Sequence, residues 1–253
     1  MRRAVKRGVA SILCVLSICL LNYTQIRAES ASNVTKIHFI SLTSATDAIL
    51  LESNGHFAMV DSGEDWDYPD SEEYPLREGI TTNLGYEAQV IHYMEQLGVK
   101  ELDFYIATHS HSDHIGSGDE ILRHFPTKRL YINEYKDEYM TDAHGENVND
   151  PYYNPDARPN RLWDNQYVYD QIIEAAMETG VEIITNLDLE ENSEYRNISL
   201  GDMEIEILNY ERDRDEEGNI IPVSSENDNC LVSLIRAFGK TVLLTSDLDP
   251  FDG

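Results

Sequence analysis

His109, His111, Asp113 and His114 stand within six residues, in the run Thr108-His109-Ser110-His111-Ser112-Asp113-His114. Imidazole and carboxylate are both ligands for zinc, and the pattern H-x-H-x-D-H concentrates four of them. The apolar run Leu102 to Ala107 precedes it and reads as a buried strand. If that strand ends and turns at Thr108, alternation points His109 and His111 to one side. A turn through Ser112 then lets Asp113 and His114 converge from another. Two facing pairs suit two metal ions with a water between them, so all four residues are expected as ligands, with Asp113 and His114 among the catalytic groups. The remaining histidines, His38, His56, His92, His124 and His144, lack such a setting and are read as ordinary core, surface or loop residues.

The elements that must carry this run are legible around it. Lys36 to Ile40, Ala48 to Glu52 and His56 to Val60 read as strands of an antiparallel meander, with Asn54-Gly55 supplying the positive φ of a tight turn. Glu87 to Leu97 has Ala88, Ile91, Met94 and Leu97 at helical spacing and stops at Gly98. Gly118 to His124 reads as a helix and Arg129 to Asn133 as a strand, after which residues 134–164 form a long polar loop rich in tyrosine, asparagine and proline. A helix over Asp164 to Thr179 buries Tyr167, Ile172, Ala175 and Ala176, and a strand follows over Val181 to Thr185. Met203 to Tyr210, Leu231 to Phe238 and Thr241 to Thr245 read as further strands, the last two joined about Gly239-Lys240. Asp247 emerges at the end of the final strand, as the histidines do from theirs. The acidic run Glu211 to Glu217 reads as a solvated hairpin tip.

Composition sets the frame. The chain has 253 residues with 41% hydrophobic and 26% charged residues, ordinary for a globular protein. Arg2, Arg3, Lys6 and Arg7 precede the apolar stretch Val9 to Leu21, and small residues follow at Ala28, Ser30 and Ala31, the layout of a signal peptide over residues 1–28. Its removal takes away five basic residues, Arg2, Arg3, Lys6, Arg7 and Arg27, and no acidic one, so the net charge moves from −28 to −33. The expectation is a secreted or cell-surface protein without stable membrane insertion once the signal is removed. Only Cys230 would remain, which excludes an internal disulfide. Such an excess of negative charge repels polyanions and counts against a nucleic-acid partner.

Three segments together resemble the metallo-β-lactamase-fold hydrolases: Asp61-Ser62-Gly63 after an early strand, the His run itself, and Leu243-Leu244-Thr245-Ser246-Asp247. The resemblance implies an αβ/βα sandwich, an α/β fold of the α+β type, over residues 35–253. It also implies that Asp247 bridges two zinc ions as a ligand and catalytic group, and that Asp61 orients a ligating histidine from behind. Ser246 stands where the family usually has glycine. A further histidine normally lies beyond the Asp247 position, and none follows it here, so the domain reads as truncated in its C-terminal part.

Asp61-Ser62-Gly63-Glu64-Asp65, Tyr74-Pro75-Leu76-Arg77-Glu78-Gly79-Ile80, Leu162-Trp163-Asp164-Asn165 and Asn209-Tyr210-Glu211 narrow the likeness to teichoic-acid phosphorylcholine esterases. That implies an exported di-zinc phosphodiesterase acting on a phosphocholine-bearing cell-wall polymer or a small phosphodiester. Trp66, Tyr68 and Trp163 are then candidates for contact with the trimethylammonium group. The alternatives are a competence-protein-type nuclease or phosphodiesterase, which shares the metal motif, and a non-catalytic binder of choline-decorated walls.

Overall fold

Residues 34–66, 84–140 and 164–248, together with Ser71 and Tyr74, are described by a computed structural model of the chain. The expected signal peptide, Tyr68, His144 and Trp163 lie outside the described residues.

The antiparallel meander forms as expected. β1 (Thr35–Phe39) pairs with β2 (Ala48–Ser53), and β2 with β3 (His56–Ser62). Asn54 and Gly55 close the β2–β3 turn with φ of 52° and 81°. From β3 onward the pairing is parallel, through β4 (Phe104–Ala107), β5 (Arg129–Ile132) and β6 (Glu182–Ile184), in the order β1-β2-β3-β4-β5-β6. Parallel neighbours need long crossovers. α1 (Glu87–Leu97) connects β3 to β4, α2 (Ser112–Ile115) and α3 (Gly118–His124) lie between β4 and β5, and α4 (Asn165–Thr179) precedes β6.

All four residues of β4 are buried because both faces of the sheet are covered. Tyr105 and Ala107 join a core with Leu50, Met59, Met94 and Ile172 on the helix side. Phe104 and Ile106 join a second core with Leu51, Val60, Ile205 and Ile235. That second core is closed by an antiparallel sheet of β7 (Asn197–Leu200), β8 (Met203–Leu208), β9 (Val232–Ala237) and β10 (Lys240–Leu244), in the order β10-β9-β8-β7. Among the described residues this gives three of the four layers of an αβ/βα sandwich: helices, mixed sheet and second sheet. The two sheets are pinned at Gly201, where a Cβ would lie 2.5 Å from the Ser53 carbonyl oxygen and where the Asp202 amide donates to Ser53 Oγ at 2.8 Å.

Some local expectations are corrected. β7 and the short helices α5 (Asn186–Glu191) and α6 (Ser193–Arg196) were not expected, because segments of four to six residues are too short to show a period. The last hairpin turns at Phe238-Gly239, with φ of 49° and 70°, rather than at Gly239-Lys240, and Lys240 already belongs to β10. α1 buries Val90 and Met94, whereas Leu97 is 37% exposed. Among the described residues no helix is long and apolar enough to cross a membrane.

Acidic groups also reach the interior. Asp119 is buried on α3 and pairs with Arg123, one helical turn on. Burial, then the neighbouring Asp119, and then Glu87 push the Glu120 carboxyl up from 4.5 to about 9. Between those two values the unfolded chain has released a proton that the folded protein keeps, so this group's contribution to stability falls as pH rises. Glu120→Gln is therefore expected to raise the thermal midpoint more at pH 8 than at pH 5, followed by circular dichroism. An equal change at both pH values would contradict the assignment.

Candidate metal centre

The strand ends bring the ligand-type residues together. β3 and β4 are parallel and in register at Val60 and Ile106, so Asp61 and the residues after Ala107 emerge side by side at the carboxyl ends of their strands. Open parallel sheets place their sites at that end. The chain does not continue as a strand past Ala107. It bends through residues 108–111, and His111 caps α2, which carries Asp113 and His114. Asp247 arrives from the second sheet, three residues beyond the end of β10 at Leu244.

Here the geometry differs from the two facing pairs that alternation predicts. His109 Nε2 lies 2.9 Å from His111 Nδ1, and the His109 ring also sits 4.4 Å from that of His114, centroid to centroid. His114 Nε2 is 3.5 Å from Asp247 Oδ2 and 3.9 Å from Asp113 Oδ2. One ligand atom each from His109, His114 and Asp247 lie within 4.8 Å of one another. The cluster thus mixes the two pairs, because the bend after Thr108 turns the first histidine toward α2.

Hydrogen bonds behind the rings decide which nitrogens face inward. Asp61, 1% exposed, accepts from the Thr108 amide on Oδ1 at 2.9 Å and from Thr108 Oγ1 on Oδ2 at 2.8 Å. Its Oδ2 also lies 3.0 Å from His114 Nδ1. A proton held on Nδ1 by that contact leaves the Nε2 lone pair pointing into the cluster. Thr108 Oγ1, 3.1 Å from His109 Nδ1, does the same for His109. Burial first, then the neighbouring His111 and His114, holds the His109 ring well below its usual range, and burial followed by His114 takes His111 down to about 4. Both rings are therefore neutral near pH 7, the form that binds metal.

His114 behaves differently. Burial disfavours its charge, but hydrogen bonds to Asp247 and Asp61 and the nearby carboxylates outweigh this and hold it at about 11. The hydrogen bond to His114 keeps Asp247 ionised below the usual carboxylate range. In this anionic surrounding a proton sits where a divalent cation would, and a bound ion would displace it. The donor set, neutral imidazoles with inward lone pairs beside an ionised carboxylate, fits a divalent metal. His109, His111, His114, Asp113 and Asp247 are the residues that could hold it.

The structure adds Asp47 and Thr46, which sequence reasoning missed, and gives Ser246 and Trp66 their places. Asp47 precedes β2, its amide donates to the Asp113 carbonyl at 3.1 Å, and its carboxyl is raised by burial, with His114, Asp61 and Asp247 close enough to act on it. Thr46 Oγ1 also donates to the Asp113 carbonyl. Ser246 Oγ lies 2.8 Å from Thr108 Oγ1 and 3.3 Å from His114 Nδ1. Ser246 has φ of 50°, a region that favours glycine, which accounts for the residue the family usually carries there. Trp66 is 54% exposed at the end of the loop that follows Asp61, and two residues before it the Glu64 side chain bonds to Ser112.

The Metallo-beta-lactamase superfamily profile matches residues 43–176, which include β2 to β5 and the whole His run. The chain belongs to the metallo-beta-lactamase superfamily, whose members are in general metal-dependent hydrolases. It is 27% identical over 142 residues to ComE operon protein 3 of Bacillus subtilis (strain 168), covering 52% of this chain and 17% of that protein. The match therefore spans less than a fifth of that relative's length. The crystal structure of the metallo-beta-lactamase fold protein YhfI from Bacillus subtilis aligns with a TM-score of 0.42 and 15% identity, over 84% of this chain and 62% of that one. CmlA, a diiron beta-hydroxylase from Streptomyces venezuelae, aligns with a TM-score of 0.37 and 13% identity, over 84% of this chain and 29% of that one.

Asp61 offers a clean test of the hydrogen-bond logic. Its φ of 52° is tolerated by asparagine, so Asp61→Asn keeps the backbone. With the amide oxygen on the Thr108 amide, the new NH₂ faces His114 Nδ1 and drives the ring proton onto Nε2. Affinity for added zinc, read by competition with a chromophoric chelator, is expected to fall by about 10–100-fold. Unchanged affinity would show that Asp61 does not set the tautomer.

Proposed function

We propose that the chain is the catalytic domain of an exported, zinc-dependent phosphodiesterase that releases phosphocholine from cell-wall teichoic acid. The observation that carries the hydrolase reading is the convergence of one ring nitrogen each of His109 and His114 and a carboxylate oxygen of Asp247 within 4.8 Å, with His111 Nδ1 2.9 Å from His109 Nε2. Imidazole with carboxylate suits zinc. Such an ion would supply Lewis acidity toward a phosphoryl oxygen and make water a stronger acid.

The protein's own groups then have separable roles. Asp61 and Thr108 orient the rings, and Asp113 and Asp247 hold negative charge beside His114. Asp47, whose carboxyl is raised, is placed to keep or pass a proton beside Asp247. The choline part rests on the sequence likeness to teichoic-acid phosphorylcholine esterases. Its structural support is the exposed indole of Trp66, which lines a groove with Glu87 and Glu120. An aromatic face beside an acidic side chain such as Glu87 attracts a trimethylammonium group, which cannot donate N–H hydrogen bonds.

Turnover of p-nitrophenyl phosphorylcholine against the corresponding ethanolamine ester and single-stranded DNA tests the substrate. The choline ester is expected to have the highest kcat/KM, because the net charge of −28 opposes a polyanion. Equal constants for the two esters would remove choline from the proposal, and preferred cleavage of DNA would favour the nuclease alternative. Chelation is expected to abolish turnover and zinc to restore it. His111→Ala and Asp247→Asn should each lower kcat at least about 100-fold with the far-ultraviolet spectrum retained. Either variant turning over near the parental rate would remove that residue from the ligand set.

A further inference from the structure

We infer that Glu226 is a positioning residue of the metal centre, a buried negative charge that holds the turn between the first two histidines and is stabilised by the ion they bind. The inference rests on the metal reading above. Glu226 lies on a single 3₁₀ turn, Glu226–Asn229, just before β9, and is 1% exposed. Its Oε1 accepts from the amide of Ser110, the residue between His109 and His111, at 3.4 Å. Its Oε2 accepts from Asn229 Nδ2 at 2.8 Å. The same segment is tied to the ligand run a second time, by the Leu231 amide donating to the Thr108 carbonyl at 2.8 Å.

A charge is an expensive way to make those contacts. Among the described residues no lysine or arginine forms an ion pair with Glu226. The cation that acts on it, Arg212, directs Nη2 to the Glu134 carbonyl at 3.5 Å. Burial raises the Glu226 carboxyl to about 7, with Arg212 only partly opposing it. A neutral glutamine of the same length, with the Asn229 amide turned so that its oxygen accepts from the new NH₂, would occupy the site at lower desolvation cost. What glutamine cannot supply is negative charge on the backbone between two ligands, and a divalent ion held by those ligands would complete the counter-charge that Arg212 supplies only in part. Glu226 should therefore cost stability when the centre is empty of metal and contribute affinity when it is filled. A residue that only props the turn would not have effects of opposite sign.

The experiment compares wild type, Glu226→Gln and Glu226→Asp at pH 8, with thermal melts in chelator and zinc affinity by competition with a chromophoric chelator. The cobalt(II) absorption spectrum reports the ligand geometry independently of activity. Glu226→Gln is expected to melt higher than wild type without metal, yet to bind zinc about 10–100-fold more weakly and to shift the cobalt spectrum. Glu226→Asp, which keeps the charge, should stay within a few-fold of wild type. A glutamine variant with wild-type affinity, or one that melts lower or does not fold without metal, overturns the inference. An aspartate variant as weak as glutamine also overturns it, because charge would not be the cause. Wild type binding no zinc would refute the metal reading itself, an outcome the control reads directly.

Discussion

The carboxylate of Asp61 is the contact on which the rest of the centre depends. It is buried at the end of β3 and takes one donor from the backbone, one from a hydroxyl and one from an imidazole, all belonging to the run that follows β4. A buried charge is tolerated when such donors satisfy it, and each donor is thereby fixed in place. This is possible only because β3 and β4 are parallel neighbours whose register continues from Val60 and Ile106 to bring Asp61 level with Ala107, next to Thr108. The two-sided burial of β4 locks that register, since a shift of one residue would exchange Tyr105 and Ile106 between the helix-side core and the inter-sheet core.

Around that anchor the charges are arranged for a cation. His109 and His111 are neutral, whereas Asp61, Asp113 and Asp247 surround His114 closely enough to hold a proton on it far above the usual range. Burial first, and then repulsion from the neighbouring carboxylates, make Asp47 and Asp113 ionise less readily than exposed groups. A divalent ion held by these residues would offset the repulsion and take the place of the proton on His114. The anionic character of the whole chain extends the same sign outward, toward cationic rather than polyanionic partners.

The second sheet matters to the site mainly through its ends. β10 delivers Asp247 by way of Ser246, a non-glycine residue with φ of 50°, and the chain entering β9 brings Glu226 and Leu231 against the ligand turn. A left-handed residue other than glycine costs about 1–2 kcal/mol. Ser246 Oγ offsets part of this with its contact to Thr108 Oγ1, which a glycine could not make. Local strain held in place by a surrounding network is common at functional sites.

The local code was sufficient for much of this. Spacing alone marked His109, His111, Asp113 and His114 as ligand types, period and turn residues placed β1 to β5, α1 and α4 within a few residues, and family likeness singled out Asp61 and Asp247. It did not show which ring nitrogens turn inward, that His109 leans toward His114 rather than pairing only with His111, or that β7 completes the second sheet. Nor did it mark Asp47 or Glu226, which stand in unremarkable polar segments at sequence separations of 66 and 116 from the residues they meet, or show that Ser246 reaches Thr108 and His114. The sequence by itself determined the ligand types and the strands that carry them, because those depend on neighbours a few positions apart. Tertiary structure alone decided protonation, tautomer and the support behind each ligand, because these are set by contacts between segments that only the closing of one sheet on another brings together.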